Sequence, residues 1–226
     1  MPSEPEARSS RALNSRIADG SVPAVIQFAE TFASPGWGEI PAPSRSGPGT
    51  FDGECLSFAP AAGAHFAGVW SHWVEHVYGA QLIDAMLGVM SATRLDHTRD
   101  PLLLDAQMAS VFTPDVVVRL RRAGHAMLHR MDGMRGSRSA LRLRAAADRG
   151  ETPGLFPIVF ALQSAIYNVP ARAALVAYAR LEWRAARVSH GGPWDEPGEI
   201  ANDLIFSQVD ARLLPPAAPT DVAAAG

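Results

Sequence analysis

Apolar residues recur at helical spacing along most of this chain, and this periodicity constrains its fold more than any other feature. In the stretch 63–92, for example, Trp70, Trp73, Val74 and Val77 keep one broad apolar face, as expected of an amphipathic helix. Helices are predicted at about 21–32, 63–92, 100–112, 114–131, 139–149, 157–168, 170–188 and 199–214. We find neither alternating strands joined by a hairpin turn nor an internal repeat. The sequence therefore predicts an all-α, single-domain helical bundle of about seven to eight helices.

Proline and glycine mark where these helices begin and break. Asp100 followed by Pro101 is typical of a helix cap and a first-turn proline, and Pro114 repeats that signal. Gly79 falls inside the predicted helix at 63–92 and is a candidate point for splitting it in two.

The helices define one domain at 21–214, flanked by segments of different composition. The stretch 34–60 is rich in proline, glycine and serine, which predicts a long irregular loop. Residues 1–20 are polar, and residues 215–226 hold three prolines among small residues. We therefore expect a flexible segment at each end.

Composition excludes several kinds of chemistry. Hydrophobic residues make up 47% of the 226 and charged residues 19%, which predicts a packed core. All 20 basic residues are arginine, so neither a Schiff-base lysine nor the lysine of a phosphate-binding loop is present. The single cysteine, Cys55, excludes an internal disulfide and a thiolate cluster made by one chain.

Hydropathy indicates where the chain resides. Its most apolar runs are cut by Arg, Gln or Asp before they reach the roughly 18 residues that a membrane span needs. The first residues, MPSEPEARSSRALNSR, have no apolar core after their charges, unlike a secretory signal. We therefore expect a cytoplasmic protein.

Two pairs of histidines are spaced four residues apart, so each pair is expected on one helical face. The pairs are His72 with His76, and His125 with His129. With Glu75, the first pair forms the pattern H-x-x-E-H, in which two imidazoles bind zinc and the glutamate is a general base. If the pairs converged, they could form a dimetal or haem site. The alternative is that these histidines lie at the edge of an apolar face and bond to water or backbone.

Arginines dominate the segment from 117 to 149. Nine arginines there are opposed by two aspartates, Asp132 and Asp148, although the whole chain has a net charge of −3. The pattern indicates either a solvated face balanced by acidic residues elsewhere or a docking surface for an acidic protein. Nucleic acid is a weaker interpretation, because the pI is near 6.1 and no aromatic residues interleave with the arginines.

Three segments resemble the urease accessory protein F family. The segment PIVFALQSAIYNVPARAALVAYARLEWRAARVSHGG (157–192) is similar to the family's proline-led apolar helix, short link and second helix with a basic end. The segment FTPDVVVRLRRAGHAMLHRM (112–131) is similar to its apolar basic helix. The segment AVIQFAETFASPGWG (24–38) is similar to its opening helix and proline-glycine turn.

The resemblance implies an all-helical, non-catalytic assembly factor without a cofactor of its own, and a homodimer in complex. It would pair with a second accessory protein, recruit a nickel-carrying GTPase and promote nickel insertion into urease. The expected partner-binding residues are arginines of the basic segments: Arg119, Arg122, Arg138, Arg142, Arg184 and Arg187.

The alternative function is enzymatic. It is a helical oxygenase or hydrolase dependent on iron, zinc or haem. Its metal ligands and base would be the residues of both histidine pairs with the intervening glutamate: His72, Glu75, His76, His125 and His129. We assign no catalytic residues under the favoured interpretation, since the sequence has no G-x-S-x-G, G-x-G-x-x-G or C-x-x-C motif.

Overall fold

A computed structural model of the chain describes Ser57 and residues 66–130, 137–189 and 199–214. The predicted helix at 21–32, the remainder of the predicted 34–60 loop and both terminal segments lie outside the described residues. Within the described residues every regular element is helical and none is a strand. This confirms the all-α prediction.

The described helices follow the predicted order. They are α1 (Phe66–Trp73), the π-helical segment π1 (Val74–Leu82), α2 (Ile83–Arg94), α3 (Asp100–Ala109), α4 (Pro114–Arg130), α5 (Arg138–Asp148), α6 (Phe156–Ile166), α7 (Ala171–Ser189) and α8 (Glu199–Leu213). The first three form one continuous rod, so this part of the chain holds seven helices, in line with the prediction. None of the described helices has both the length and the apolar character that a bilayer crossing requires.

Helix starts agree with the sequence signals in part. Pro101 lies in the first turn of α3, where it has no hydrogen bond to lose. Ser137 caps α5, since its Oγ accepts a hydrogen bond from the backbone nitrogen of Ala140 at 3.3 Å. The predicted cap at Asp100 is wrong. Asp100 is the first residue of α3, and the flanking Arg99 is itself helical and makes no side-chain cap.

The rod of α1, π1 and α2 has no break. Trp73 and Ile83, at the two junctions of π1, keep helical backbone dihedrals. Gly79 lies in the middle of π1, and the side chain of Gln208 from α8 packs against it. The candidate break at Gly79 is therefore a position where the rod continues and receives a side chain from α8.

Buried side chains of the rod recur at every fourth residue. They are Trp70, Val74, Tyr78, Leu82, Met86 and Met90. A uniform α-helix has 3.6 residues per turn, so a stripe of period four would rotate by about 40° at each step. The wider i→i+5 turns of π1 counter this rotation. The π-helical segment therefore keeps the buried stripe on one side of the rod.

Helix α6 occupies the centre of the bundle. Its residues from Phe156 to Ala165 are all buried, and it contacts α2, α3, α4, α5 and α7. The rings of Phe156 and Phe160 lie 5.9 and 5.5 Å from that of Tyr178 on α7. Full burial of each phenyl ring contributes about 1.5–3 kcal/mol. Because one core joins all the described helices, elements next to α6 are held firmly in place.

Buried polar side chains of α7 extend this core. Glu182 Oε1 accepts hydrogen bonds from Tyr178 Oη at 2.6 Å and from Ser57 Oγ at 2.6 Å. Arg180 donates to Asn202 Oδ1 at 2.8 Å. Polar groups at this depth are costly unless they are hydrogen-bonded. These bonds therefore tie α7 to Ser57 on one side and to α8 on the other.

An ion pair joins α7 to α8 nearer the surface. Arg172 Nε and Nη2 donate to Asp210 Oδ1 and Oδ2 at 2.7 and 3.1 Å, and this lowers the pKa of the Asp210 carboxyl from its usual 3.8. Because the folded pKa is the lower one, the pair stabilises the fold above the unfolded value and loses its contribution as pH falls through the folded value.

We expect Asp210→Asn to cost about 0.5–1 kcal/mol at neutral pH, a small amount because both side chains are partly exposed. At a pH below the folded pKa of Asp210 the same substitution should cost much less, since the wild-type carboxylate is protonated there. Urea unfolding of wild type and variant at both pH values measures the difference. An equal cost at the two pH values would contradict the prediction.

Candidate functional site

Three candidate metal ligands lie together where α4 meets the end of α5. His125 and His129 are one turn apart on α4, with ring centroids separated by 6.4 Å, and Asp148 is the last residue of α5. One ligand atom from each residue lies within 4.8 Å of the other two. His129 Nε2 is 3.2 Å from Asp148 Oδ1. The structure thus adds a carboxylate to the second predicted histidine pair.

The ring of His125 is held by the segment that precedes α6. Its Nε2 lies 3.0 Å from the carbonyl oxygen of Pro153, and a carbonyl oxygen can accept but not donate, so we assign the proton to Nε2. In the neutral ring Nδ1 is then the unprotonated nitrogen. Gly154 is packed against the Nε2 edge, where an added Cβ would lie 3.2 Å from His125 Cδ2. Nδ1 is therefore the ring nitrogen that keeps a lone pair for a metal ion.

Asp105 fixes the backbone on which His125 rests. Its fully buried carboxylate accepts hydrogen bonds from Thr152 Oγ1 at 2.5 Å, Gly154 N at 2.6 Å and Leu155 N at 2.7 Å. Burial raises the pKa of the Asp105 carboxyl, and these hydrogen bonds and the nearby His125 partly oppose that rise. Because Leu155 is the cap residue of α6, Asp105 connects α3 to the first turn of the central helix.

The first histidine pair lies on the rod, away from α4 and α5 along the chain. The imidazoles of His72 and His76 have centroids 4.5 Å apart, so the two side chains share one side of the helix as predicted. Glu75 Oε2 is 3.9 Å from His76 Nε2, and both side chains are exposed. Among the described residues, the metal-ligand group contains His125 and His129 but none of these three. The structure does not join the two histidine pairs into one site.

On α4, two of the arginines project into solvent beside the histidines. Arg121 and Arg122 are exposed. They precede His125 by four and three residues, and His129 lies one turn further on, so all four share a helical stripe. Within the described residues, neither guanidinium forms a hydrogen bond or an ion pair. Arg119, a predicted partner-binding residue, is only partly exposed and its Nε is buried. Arg122 is therefore the better placed of the two predicted docking residues on α4.

On α5, the two predicted docking arginines contact the loop between α2 and α3. Arg138 Nη1 is 3.4 Å from Asp96 Oδ2, and Arg142 Nη1 donates to Thr98 Oγ1 at 3.0 Å. The Arg138 side chain is 81% exposed and that of Asp96 is 59% exposed. Ion pairs as exposed as this one contribute about 0–1 kcal/mol. Both arginines can therefore exchange these contacts for carboxylates of a partner.

Exposed apolar side chains lie among the arginines of both helices. Val118 on α4 is 65% exposed, and Leu141 on α5, between two of the arginines, is 51% exposed. We define the arginine face as Val118, Arg121, Arg122, Arg138, Leu141 and Arg142. The remaining predicted docking residues, Arg184 and Arg187, belong to α7, and their side chains lie outside the described residues.

Two residues of this region were not predicted to act in it. In the sequence, Asp148 is one of two aspartates that oppose the nine arginines. Its separation from His129 along the chain does not match any spacing typical of metal ligands. Asp105 does have a signal in the sequence. It falls between Pro101 and Met108 on the buried side of α3, and a carboxylate at an inward helix position requires buried hydrogen-bond donors.

Two imidazoles and a carboxylate with room for a further ligand are typical of transition-metal binding. The adjacent arginine face is suited to binding acidic groups. Comparisons of the chain with protein-family models, with curated proteins and with solved structures find no match. Function is therefore inferred from the chemistry of this region and from the resemblance in sequence.

Proposed function

We propose that this chain is a non-catalytic assembly factor that binds an acidic protein partner through the arginine face. The observation that carries the proposal is the set of exposed guanidinium groups on α4 and α5, each within four residues of an exposed apolar side chain on the same helix. In keeping with the resemblance to urease accessory protein F, its role would be to promote nickel insertion into urease in the cytoplasm. It would act through protein partners, as a homodimer within the complex.

The composition of the arginine face supports protein docking over a merely solvated surface. Protein interfaces are enriched in arginine and have an apolar centre. A single exposed apolar residue means little, but Val118 and Leu141 both lie within a few residues of exposed arginines. The apolar side chains would lose water on docking, and the guanidinium groups around them would bind carboxylates in a bidentate manner.

Electrostatics sets the chemistry of the partner. Seven arginines and two aspartates occur in the sequences of α4 and α5, so positive charges repel one another across this surface. A partner that brings carboxylates removes this repulsion, and its association weakens with salt because exposed charges are screened. The resemblance suggests two such partners, the second urease accessory protein and the nickel-carrying GTPase.

The enzymatic alternative has less support in the geometry. It needs Glu75 as a general base beside a metal held by histidines. In the described part of the chain, the group that contains His125 and His129 does not include Glu75. We therefore favour partner binding.

Charge reversal on the arginine face tests the proposal. We expect Arg122→Glu with Arg142→Glu to leave thermal stability almost unchanged, because exposed substitutions usually move it by less than about 0.5 kcal/mol each. The same pair should weaken capture of urease subunits and urease accessory proteins by at least about tenfold, equivalent to about 1.4 kcal/mol. The measurement is quantitative mass spectrometry of proteins that copurify with the chain from its native host, at low and at high salt.

The matched control reverses two arginines on other helices. Changing Arg94 on α2 and Arg212 on α8 to Glu shifts the net charge by the same amount. Arg94 donates to the Val169 carbonyl oxygen at 2.8 Å and Arg212 is paired with Asp84 at 3.1 Å, so the control is used once its thermal stability is shown to match that of the arginine-face variant. This control should capture the urease proteins as wild type does. Equal capture by the arginine-face variant would defeat docking through this face, and capture of no urease protein by wild type would defeat the assembly-factor proposal.

A further inference from the structure

His129 and Asp148 are already spaced for a metal ion, and the ligand atom of His125 lies within 4.8 Å of both. His129 Nε2 and Asp148 Oδ1 are 3.2 Å apart. In a tetrahedral site with metal–ligand distances near 2.0–2.2 Å, neighbouring ligand atoms are roughly 3.3–3.5 Å apart. The third ligand, His125, precedes His129 by one helical turn, a spacing that lets two histidines bind one ion. Binding would therefore need little movement of the backbone.

The surroundings of His125 match those of a metal-bound histidine. Such histidines donate their second ring N–H to a carbonyl or carboxylate, which orients the ring and leaves the other nitrogen for the metal. Here the Nε2 contact with the Pro153 carbonyl, at 3.0 Å, has this role. That carbonyl is fixed in turn by the buried Asp105, which holds the neighbouring Gly154 and Leu155. The ring is thus supported from the core of the bundle.

The charges around the site indicate which ions it can bind. Arg144 Nε lies 4.0 Å from Asp148 Oδ2, and the arginine face is adjacent, so a hard cation attracted mainly by charge is disfavoured. Mg²⁺ and Ca²⁺ also require several oxygen ligands. Two imidazoles and one carboxylate suit zinc, nickel or cobalt instead. Electrostatics and ligand chemistry therefore favour the same class of ion.

We propose that His125, His129 and Asp148 bind one divalent transition-metal ion and leave a further coordination position open to solvent. His129 and Asp148 are 48% and 45% exposed, so an ion there can be reached from outside. The site shares its two helices with the arginine face, and a docked protein could therefore supply an additional ligand. The inference goes beyond the proposed function and does not rest on it, because the geometry requires no partner.

Metal titration of the isolated chain tests the site. The full-length protein, without a histidine tag and treated with a chelator, is titrated with Zn²⁺ and with Ni²⁺ by calorimetry. We expect one ion to bind per chain at this site. His129→Gln and Asp148→Asn, which alter exposed positions on different helices, should each weaken binding by at least about tenfold while leaving the helical circular dichroism unchanged.

Two variants separate this site from other histidines. His97 forms a similarly exposed pair with Asp100, at 3.4 Å, and His97→Gln should leave metal affinity unchanged. The double variant His72→Gln with His76→Gln should retain the ion. The proposal is overturned if wild type binds neither Zn²⁺ nor Ni²⁺, if His129→Gln and Asp148→Asn bind as wild type does, or if Mg²⁺ binds equally well. Loss of urease partners with metal binding intact would bear on the proposed function alone.

Discussion

Replacing Gly124 with alanine should lower the free energy of unfolding by about 3 kcal/mol or more, at the upper end of overpacking effects. A Cβ on residue 124 of α4 would overlap the carbonyl oxygen of Gly154 and lie 2.9 Å from the backbone nitrogen of Phe156. Backbone atoms cannot rotate away as the tip of a side chain can. Helix α4 would therefore have to move away from the start of α6, and the buried side chains of the two helices would lose contact. Urea unfolding of wild type and variant measures the loss.

A second helical glycine provides the matched control. At Gly88 on α2, an added Cβ would lie 3.0 Å from Leu104 Cδ1, the end of a flexible side chain. Alanine is about 1 kcal/mol better than glycine within a helix, so Gly88→Ala should be nearly neutral or slightly stabilising. If Gly124→Ala behaved in the same way, the close approach of α4 to the backbone before α6 would not matter for stability.

Asp105→Ala should cost about 3–5 kcal/mol, the range found when one partner of a buried polar network is removed. The substitution leaves the donors of Thr152, Gly154 and Leu155 without their acceptor. It also removes a carboxylate from the positive end of α6, where the helix dipole favours negative charge. Thermal and urea unfolding should both show the loss.

Two further variants establish its cause. Asp105→Asn keeps the shape and one acceptor oxygen but turns an NH₂ group toward donors, so its cost should lie between those of wild type and Asp105→Ala. Asp203→Ala, at an exposed position of α8, should change stability by less than about 0.5 kcal/mol. Equal stability of Asp105→Ala and Asp203→Ala would show that the carboxylate at 105 does not hold this junction.

Local signals account for most of what the sequence predicts correctly. Apolar periodicity and caps act within a few residues, which is why the starts of α4 at Pro114 and of α5 beyond Ser137 agree with the prediction. The π-helical segment is also visible in the local sequence pattern. The step of four residues from Trp70 through Val74 to Tyr78 does not suit a uniform α-helix, although we read it as one.

The site depends on contacts that no local pattern encodes. His125 and His129 were recognised as a pair because their spacing is helical, whereas Asp148 joins them through the packing of α5 against α4. The contact between Gly124 and the backbone of Gly154 is likewise set by tertiary packing. A single sequence shows which residues have suitable chemistry, but not which of them meet.

Because of the π-helical segment, the alignment of α1 with α2 depends on the number of residues in π1 as well as on its side chains. Trp70 and Met90 face the same side because of the number of residues between them and the wider turns of π1. A substitution in π1 leaves this rotational phase intact. Loss of one residue there would either rotate α1 relative to α2 and turn Trp70 away from the core, or require the wider turns of π1 to narrow to about 3.6 residues per turn. The count of residues between the two ends of the rod is therefore constrained by packing. In a surface loop, by contrast, length can vary at little cost.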